Sequence, residues 1–190
     1  MGLNKKMEEI MGTSYKGSFK IKHLLDVICN TIGLQTIREK VTNPLKGLRV
    51  VSYYGCVIVR PHEVTQFDDP ERPQALDDLM EAIGAKSLPW SDKTECCGAS
   101  LSLTRADIVV KLANDIIEMA REAGAEAIVT ACPLCQANLD MRPQEERRMP
   151  VFYFTEILGL ALGIDSIAWF QRHLTDPIAL LESLNLLKEQ

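Results

Sequence analysis

Apolar and polar positions change their period several times along this chain, and those changes outline the elements. From Leu48 to Tyr53 (Leu-Arg-Val-Val-Ser-Tyr) a short, β-branched run predicts a buried strand ending at Gly55-Cys56. A polar, proline-containing loop from Arg60 to Pro73 leads into a helix over about Gln74 to Ile83, and Ala85 to Leu88 reads as a weaker strand. The chain then enters a Glu95-Cys96-Cys97-Gly98 loop. Thr104, with Asp107 three residues on, resembles a capping box. The helix it would open carries Ile108, Leu112, Ile116, Met119, Ala120 and Ala123 at helical spacing and stops at Gly124. Ala127 to Thr130 is the next expected strand. Beyond it, Cys132 stands where a helix cap belongs, with Pro133 at the first helical position. Val151 to Phe154 is expected as a fourth strand, followed by a helix over Thr155 to Leu162 and a mostly helical remainder to Leu187.

The residues before this alternation read differently. Ile21 to Leu34 places Leu24, Leu25, Ile28, Cys29 and Ile32 at helical spacing, and Asn43-Pro44 marks a break. The expected organisation is a helical lead-in over residues 1–46 and a main unit over 47–190. Alternating strands and helices predict an α/β fold with a parallel, Rossmann-like sheet flanked by helices.

Composition narrows the function. With 190 residues, 46% hydrophobic and 25% charged, the chain is an ordinary globular protein. A net charge of -5 with no dense Lys/Arg block argues against a nucleic-acid partner. The longest apolar stretches, such as Ile157 to Ile164, are far too short for a membrane span. The opening Met-Gly-Leu-Asn-Lys-Lys has no apolar signal core, and Lys6 stands where myristoylation wants Ser or Thr. The expectation is a soluble, cytoplasmic protein.

Six cysteines carry the chemistry: Cys29, Cys56, Cys96, Cys97, Cys132 and Cys135. A disulfide framework needs an oxidising compartment, and no export signal leads to one. Cys29 belongs to the apolar stripe of the lead-in and reads as a core thiol. The other five form a different pattern: one cysteine, a gap in the thirties, a Cys-Cys-Gly, a second such gap, then Cys132-Pro133-Leu134-Cys135. Each group falls at or just beyond the carboxyl end of an expected strand, where parallel α/β sheets collect their ligands. Thiolates select zinc, copper(I) or iron–sulfur clusters. Structural zinc takes four ligands, so five are one too many. Adjacent cysteines suit a centre several ångströms across, once Gly98 distorts the loop. The residues leave three readings open: an iron–sulfur cluster, a zinc site, or a redox dithiol at Cys132 and Cys135, where a helix N-terminus would favour both thiolates.

This pattern resembles the cysteine-rich CCG domain of the heterodisulfide reductase B-subunit and of related subunits in lactate, glycolate and glycerol-3-phosphate oxidising systems. The stretches Lys46-Gly47-Leu48 to Gly55-Cys56, Arg60-Pro61, Cys97-Gly98-Ala99 and the lead-in Tyr15-Lys16-Gly17-Ser18 through His23-Leu24-Leu25 are similar to the reductase family in particular. The likeness covers nearly the whole chain and the carboxy-terminal half of that family's usual length. The family carries two such motifs, each implied to hold a noncubane 4Fe-4S cluster; this chain has one. The resemblance implies Cys56, Cys96, Cys97, Cys132 and Cys135 as ligands, a disulfide substrate, and iron–sulfur and flavin subunits as electron-delivering partners. It also leaves an electron-transfer role of the lactate or glycolate type. The rival from another class is a zinc-stabilised docking module.

The remaining polar residues are weaker candidates. Arg60, His62 and Arg105 flank the cysteine segments and read as surface or supporting residues. His23 and His173 read as structural, Trp90 and Trp169 as core or interface, and Asp68-Asp69 and Glu145-Glu146 as solvated loop carboxylates. No glycine-rich phosphate loop follows any strand.

Overall fold

Short, largely buried runs form most strands of this protein, and the two-residue Lys86–Ser87 forms an edge. The computed structural model describes residues 3–14, 19–165 and 167–187. Tyr15-Lys16-Gly17-Ser18 of the lead-in therefore lies outside the described residues. Four strands, β1 (Arg49–Tyr53), β2 (Lys86–Ser87), β3 (Ala127–Thr130) and β4 (Val151–Tyr153), pair in the order β2-β1-β3-β4, all parallel. The register aligns Val51 with Ile128 and Ile128 with Val151, while Ser52, Val129 and Phe152 form the neighbouring row. Side chains alternate across a strand, so these two rows face two different cores.

The helices are α1 (Leu3–Met11), α2 (Leu24–Asp26), α3 (Leu34–Lys40), α4 (His62–Thr65), α5 (Ala75–Ala82), α6 (Ala106–Glu122), α7 (Pro133–Met141), α8 (Phe154–Ala161), α9 (Ile167–Phe170) and α10 (Ile178–Ser183). One core joins Val50, Val129 and Phe152 to Leu76, Leu79 and Met80 of α5, Ile157 of α8 and Leu181 of α10. The other joins Val51, Ile128 and Val151 to Ala113, Ile116 and Ile117 of α6 and Leu139 of α7. The connection from β1 to β2 thus runs over one face and the return from β2 to β3 over the other. The strand order reverses between β1 and β3, and that crevice is the binding position of open parallel sheets. Among the described residues, no helix is long and apolar enough to cross a membrane.

Three local expectations are corrected. The lead-in helix is interrupted: α2 passes into a π-helical turn over Val27–Gly33, and Gly33, at φ +90°, breaks the chain before α3. Leu25 and Ile28 pack into the sheet's core, while Leu24 and Ile32 are about half exposed. The wider turn of a π-helix does not keep the period that placed all of them on one face. Thr104 does not cap α6; the helix opens at Ala106, and Asp107 pairs with Arg105 at 2.8 Å. The buried face of α6 is rotated by about one residue, to Val109, Ala113, Ile116, Ile117 and Ala120, leaving Met119 outside.

Candidate metal centre at the carboxyl rim

The three cysteine segments begin where strands run out. Cys56 lies three residues beyond β1 and Cys132 two beyond β3, on the two strands that flank the reversal of strand order. The segment after β2 is longer, and four hydrogen bonds tie it to the end of β1. The Tyr54 and Gly55 amides donate to the Lys93 carbonyl at 2.8 and 3.3 Å. The Tyr53 hydroxyl donates to the Glu95 carbonyl at 2.6 Å, and Trp90 Nε1 to the Ser52 carbonyl at 3.0 Å. Cys96 and Cys97 are thereby carried back to the mouth of β1.

A buried polar cluster anchors this arrangement. Asp77 accepts from Lys93 Nζ at 2.8 Å, from the Tyr54 hydroxyl at 3.0 Å and from the Ser87 hydroxyl at 2.9 Å. Tyr54 in turn accepts from the Leu76 amide at 2.8 Å. A buried carboxylate is tolerated only when paired and hydrogen-bonded, and here every partner comes from a segment adjoining the rim.

The thiols meet in pairs. Cys97 Sγ and Cys135 Sγ are 3.4 Å apart, and both are buried. Cys96 stands beside Cys56, and Cys132 beside Cys135. Cys96 is exposed, whereas Cys56 and Cys132 are partly covered. Gly98 has φ +75°, a left-handed conformation that lets its amide approach Cys96 Sγ at 3.3 Å. Gly55 shares the left-handed conformation, at φ +66°, and meets a second constraint: a Cβ there would stand 2.8 Å from Cys135 Sγ. Among the described residues, no three His, Cys, Asp or Glu side chains converge tightly enough for one ion.

Electrostatics separates the thiols. The hydrogen bond between Cys97 and Cys135 pulls Cys97 down to about 6 against the cost of burial, helped by the Ala99 amide and Asn138. Cys132 is likewise brought to about 6 by Cys135, with the Cys135 and Leu134 amides of the α7 N-terminus contributing. Cys135, set against both neighbours, is pushed strongly upward. These opposite directions arise from the contacts among the sulfurs, and the three sulfurs titrate as a unit. Burial raises Cys56, with Cys96 adding to it.

The other candidates fall into place around this rim. Cys29 packs on the opposite core, donates to the Ala75 carbonyl at 3.3 Å, and is pushed up to about 12 by burial and by Asp78, Asp68 and Asp26. It is a core thiol. Arg60 braces its own loop through the Pro70 carbonyl at 3.1 Å and Glu71 at 2.9 Å, and ties it to Thr94 of the segment after β2 at 3.2 Å. His62 opens the exposed helix α4, and Arg105 is exposed and paired with Asp107. His23 Nδ1 accepts the Leu25 amide at 3.2 Å, and His173 pairs with Glu156 at 3.1 Å. Sequence reasoning missed Asp77, Lys93 and Asn138. The first two carry no local signal, because their partners are distant in sequence. Asn138 could have been found, since it lies one turn after Cys135 on the same helix face.

Residues 50–140 match the family described as "Cysteine-rich domain", CCG. The protein is thus a cysteine-rich α/β domain with five of its six cysteines on the sheet's carboxyl rim. The ferredoxin:CoB-CoM heterodisulfide reductase B-subunit of Methanosarcina mazei is 33% identical over 170 residues, 84% of this chain and 56% of that protein. The heterodisulfide reductase B-subunit-like protein of Archaeoglobus profundus is 30% identical over 177 residues, covering 86% and 59%. The 8-methylmenaquinol:fumarate reductase membrane anchor subunit of Wolinella succinogenes is 31% identical over 158 residues, covering 80% and 55%. Over most of its own length the chain is similar to heterodisulfide reductase B-subunits, and it spans a little over half the length of these relatives.

Proposed function

We propose that this chain is an iron–sulfur redox domain corresponding to the carboxy-terminal half of a heterodisulfide reductase B-subunit. Its cysteine-rich domain is residues 47–190, behind a helical lead-in of residues 1–46. Cys56, Cys96, Cys97, Cys132 and Cys135 would hold a noncubane 4Fe-4S cluster. The observation that carries this reading is the delivery of five thiols by three loops to one rim, beside the reversal of strand order, with Cys97 and Cys135 already at 3.4 Å. The donor set fits the group. It is all thiol, and it exceeds the four ligands of a structural zinc. A bound cluster would supply one-electron transfer, with a potential set by ligation, hydrogen bonds and exposure.

The chain's own residues then have distinct tasks. Gly55 and Gly98 let backbone and sulfur approach closely, and the Asp77–Lys93–Tyr54 cluster orients two of the three loops. Exposed Cys96 and half-covered Cys56 and Cys132 leave a face open to a reactant or a partner. The domain would work within an oxidoreductase complex, taking electrons from iron–sulfur and flavin subunits and serving a disulfide. The name of the Methanosarcina mazei relative points to the disulfide of coenzymes M and B. The Wolinella succinogenes relative, named for a fumarate reductase, favours a second reading in which the domain passes electrons onward, as lactate- or glycolate-type systems would. Free thiols of this kind suit a reducing, cytoplasmic compartment.

The test is iron, zinc and acid-labile sulfide per chain, with a visible spectrum, on protein purified without oxygen. Iron and sulfide in equal amounts, in the proportion of a 4Fe-4S cluster, are expected. One zinc per chain without sulfide would replace the redox reading with a zinc-stabilised docking module.

A further inference from the structure

The cluster reading assigns five cysteines and leaves one buried polar side chain against them without a role. Asn138 lies on α7 three residues after Cys135 and is 6% exposed. Its Nδ2 donates to the Cys97 carbonyl at 3.2 Å and approaches Cys97 Sγ at 3.7 Å. Its Oδ1 accepts from the Ser102 hydroxyl at 3.0 Å, and the Ser102 carbonyl accepts from Arg142 at 3.3 Å. The amide orientation follows from chemistry. A carbonyl can only accept, so the group facing Cys97 must be the NH₂. Ser102, held through its carbonyl by Arg142, fixes the other end.

We infer that Asn138 is a positioning residue that sets the charge tolerated at Cys97 Sγ and, through it, the reduction potential of a centre bound at this rim. This rests on the cluster reading. An N–H dipole aimed at a ligand sulfur stabilises negative charge there, and reduction adds negative charge. Hydrogen bonds to cluster sulfurs are among the factors that set potential, and groups that orient ligands tune a metal site from behind. The placement is economical in structural terms, because one helix supplies the Cys135 ligand and the donor to its neighbour, Cys97. The amide also ties Cys97, the buried member of the Cys-Cys pair, to α7 and leaves Cys96 outside. The two adjacent sulfurs therefore sit in unlike surroundings, one dry and hydrogen-bonded, one wet.

The experiment is an EPR-monitored redox titration of the full chain and of Asn138→Leu, both purified without oxygen, with iron and sulfide measured on each. The expected result is unchanged iron and sulfide but a lower potential in Asn138→Leu. At a fixed solution potential that is a shift toward the oxidised form of up to about tenfold, or 59 mV for one electron. Equal potentials with equal iron would overturn the inference and leave the cluster reading standing. A wild-type chain without iron and sulfide overturns both. If Asn138→Leu loses its centre, the wild type decides. Protein carrying ¹⁵N only in asparagine side-chain amides should show coupling of one nitrogen to the reduced centre in pulsed EPR. The absence of that coupling overturns the inference.

Discussion

Replacing Gly55 with alanine tests whether the rim is as tightly built as its geometry implies. Two independent costs apply. Gly55 has φ +66°, where an L-residue pays about 1–2 kcal/mol. The new Cβ would also stand 2.8 Å from Cys135 Sγ, closer than real Cβ contacts come, so the sulfur or the backbone must move. Overpacking of this kind costs about 1–3 kcal/mol. The sum is about 2–5 kcal/mol, within the stability of an ordinary domain, so the variant should fold. Gly124→Ala serves as the control: its φ is +83° and its nearest neighbour, Leu88 Cδ1, lies at 4.0 Å, so it carries the backbone cost alone. Urea unfolding of the two variants separates strain from contact, and iron content after anaerobic purification shows whether displacing Cys135 empties the site. Gly55→Ala should be the less stable variant and should lose iron. If the two variants are equally stable and both retain iron, the close approach of Gly55 to Cys135 does not matter and the reasoning is refuted.

Other expectations can be checked with the same protein. Lys93→Met strands the Asp77 carboxylate, each partner side chain being only 11% exposed, and should cost about 3–5 kcal/mol in urea unfolding; a loss near zero would show that Asp77 is stable without its cation. In His173, burial opposes the charge but the hydrogen bond and charge of Glu156 outweigh it, with Asp140 and Asp176 behind, so its pKa is raised from the ordinary 6.5. Its contribution to stability is complete below 6.5 and is lost as pH rises through the raised folded value, so the unfolding midpoint should fall over that window and stay flat in Glu156→Gln. A midpoint that rises with pH there would reverse the assigned sign. With metal removed and diamide added, Cys97 and Cys135, 3.4 Å apart, should form the first disulfide seen by peptide mapping. Preferential linkage through Cys29 would contradict its place on the opposite core.

β1, β3 and β4 are legible in the sequence because each is a short, largely apolar run bounded by turn residues, whereas β2 is only Lys86–Ser87 and reads more weakly. The expected strand Ala127–Thr130 is the observed one, and the β1 expectation differs by one residue at its start. The convergence of the cysteines follows from that topology, since the carboxyl ends of parallel strands share one side of the sheet. Helix phase is harder. On α6 the small side chains Ala113 and Ala120 lie in the buried face, and a scale of hydrophobicity weights them less than Ile108 or Leu112. The π turn at Val27–Gly33 breaks the period without any proline to announce it. Asp107 resembles a cap because spacing alone cannot show that Arg105, two residues away, competes for it. Asp77 and Lys93, sixteen positions apart, are invisible because their partnership exists only after the loop beyond β2 has folded back over β1.

That buried Asp77–Lys93–Tyr54 cluster has a bearing on how the finished protein is assembled. Its bonds contain no metal, yet they brace two of the three segments that carry cysteines. The framework can therefore form first and be loaded afterwards, in contrast to small zinc domains that fold only around their ion. On the cluster reading, cofactor delivery would be the last event of maturation, made to a shape-ready recipient. Stripping the site in air should leave a refillable vessel rather than an unravelled chain.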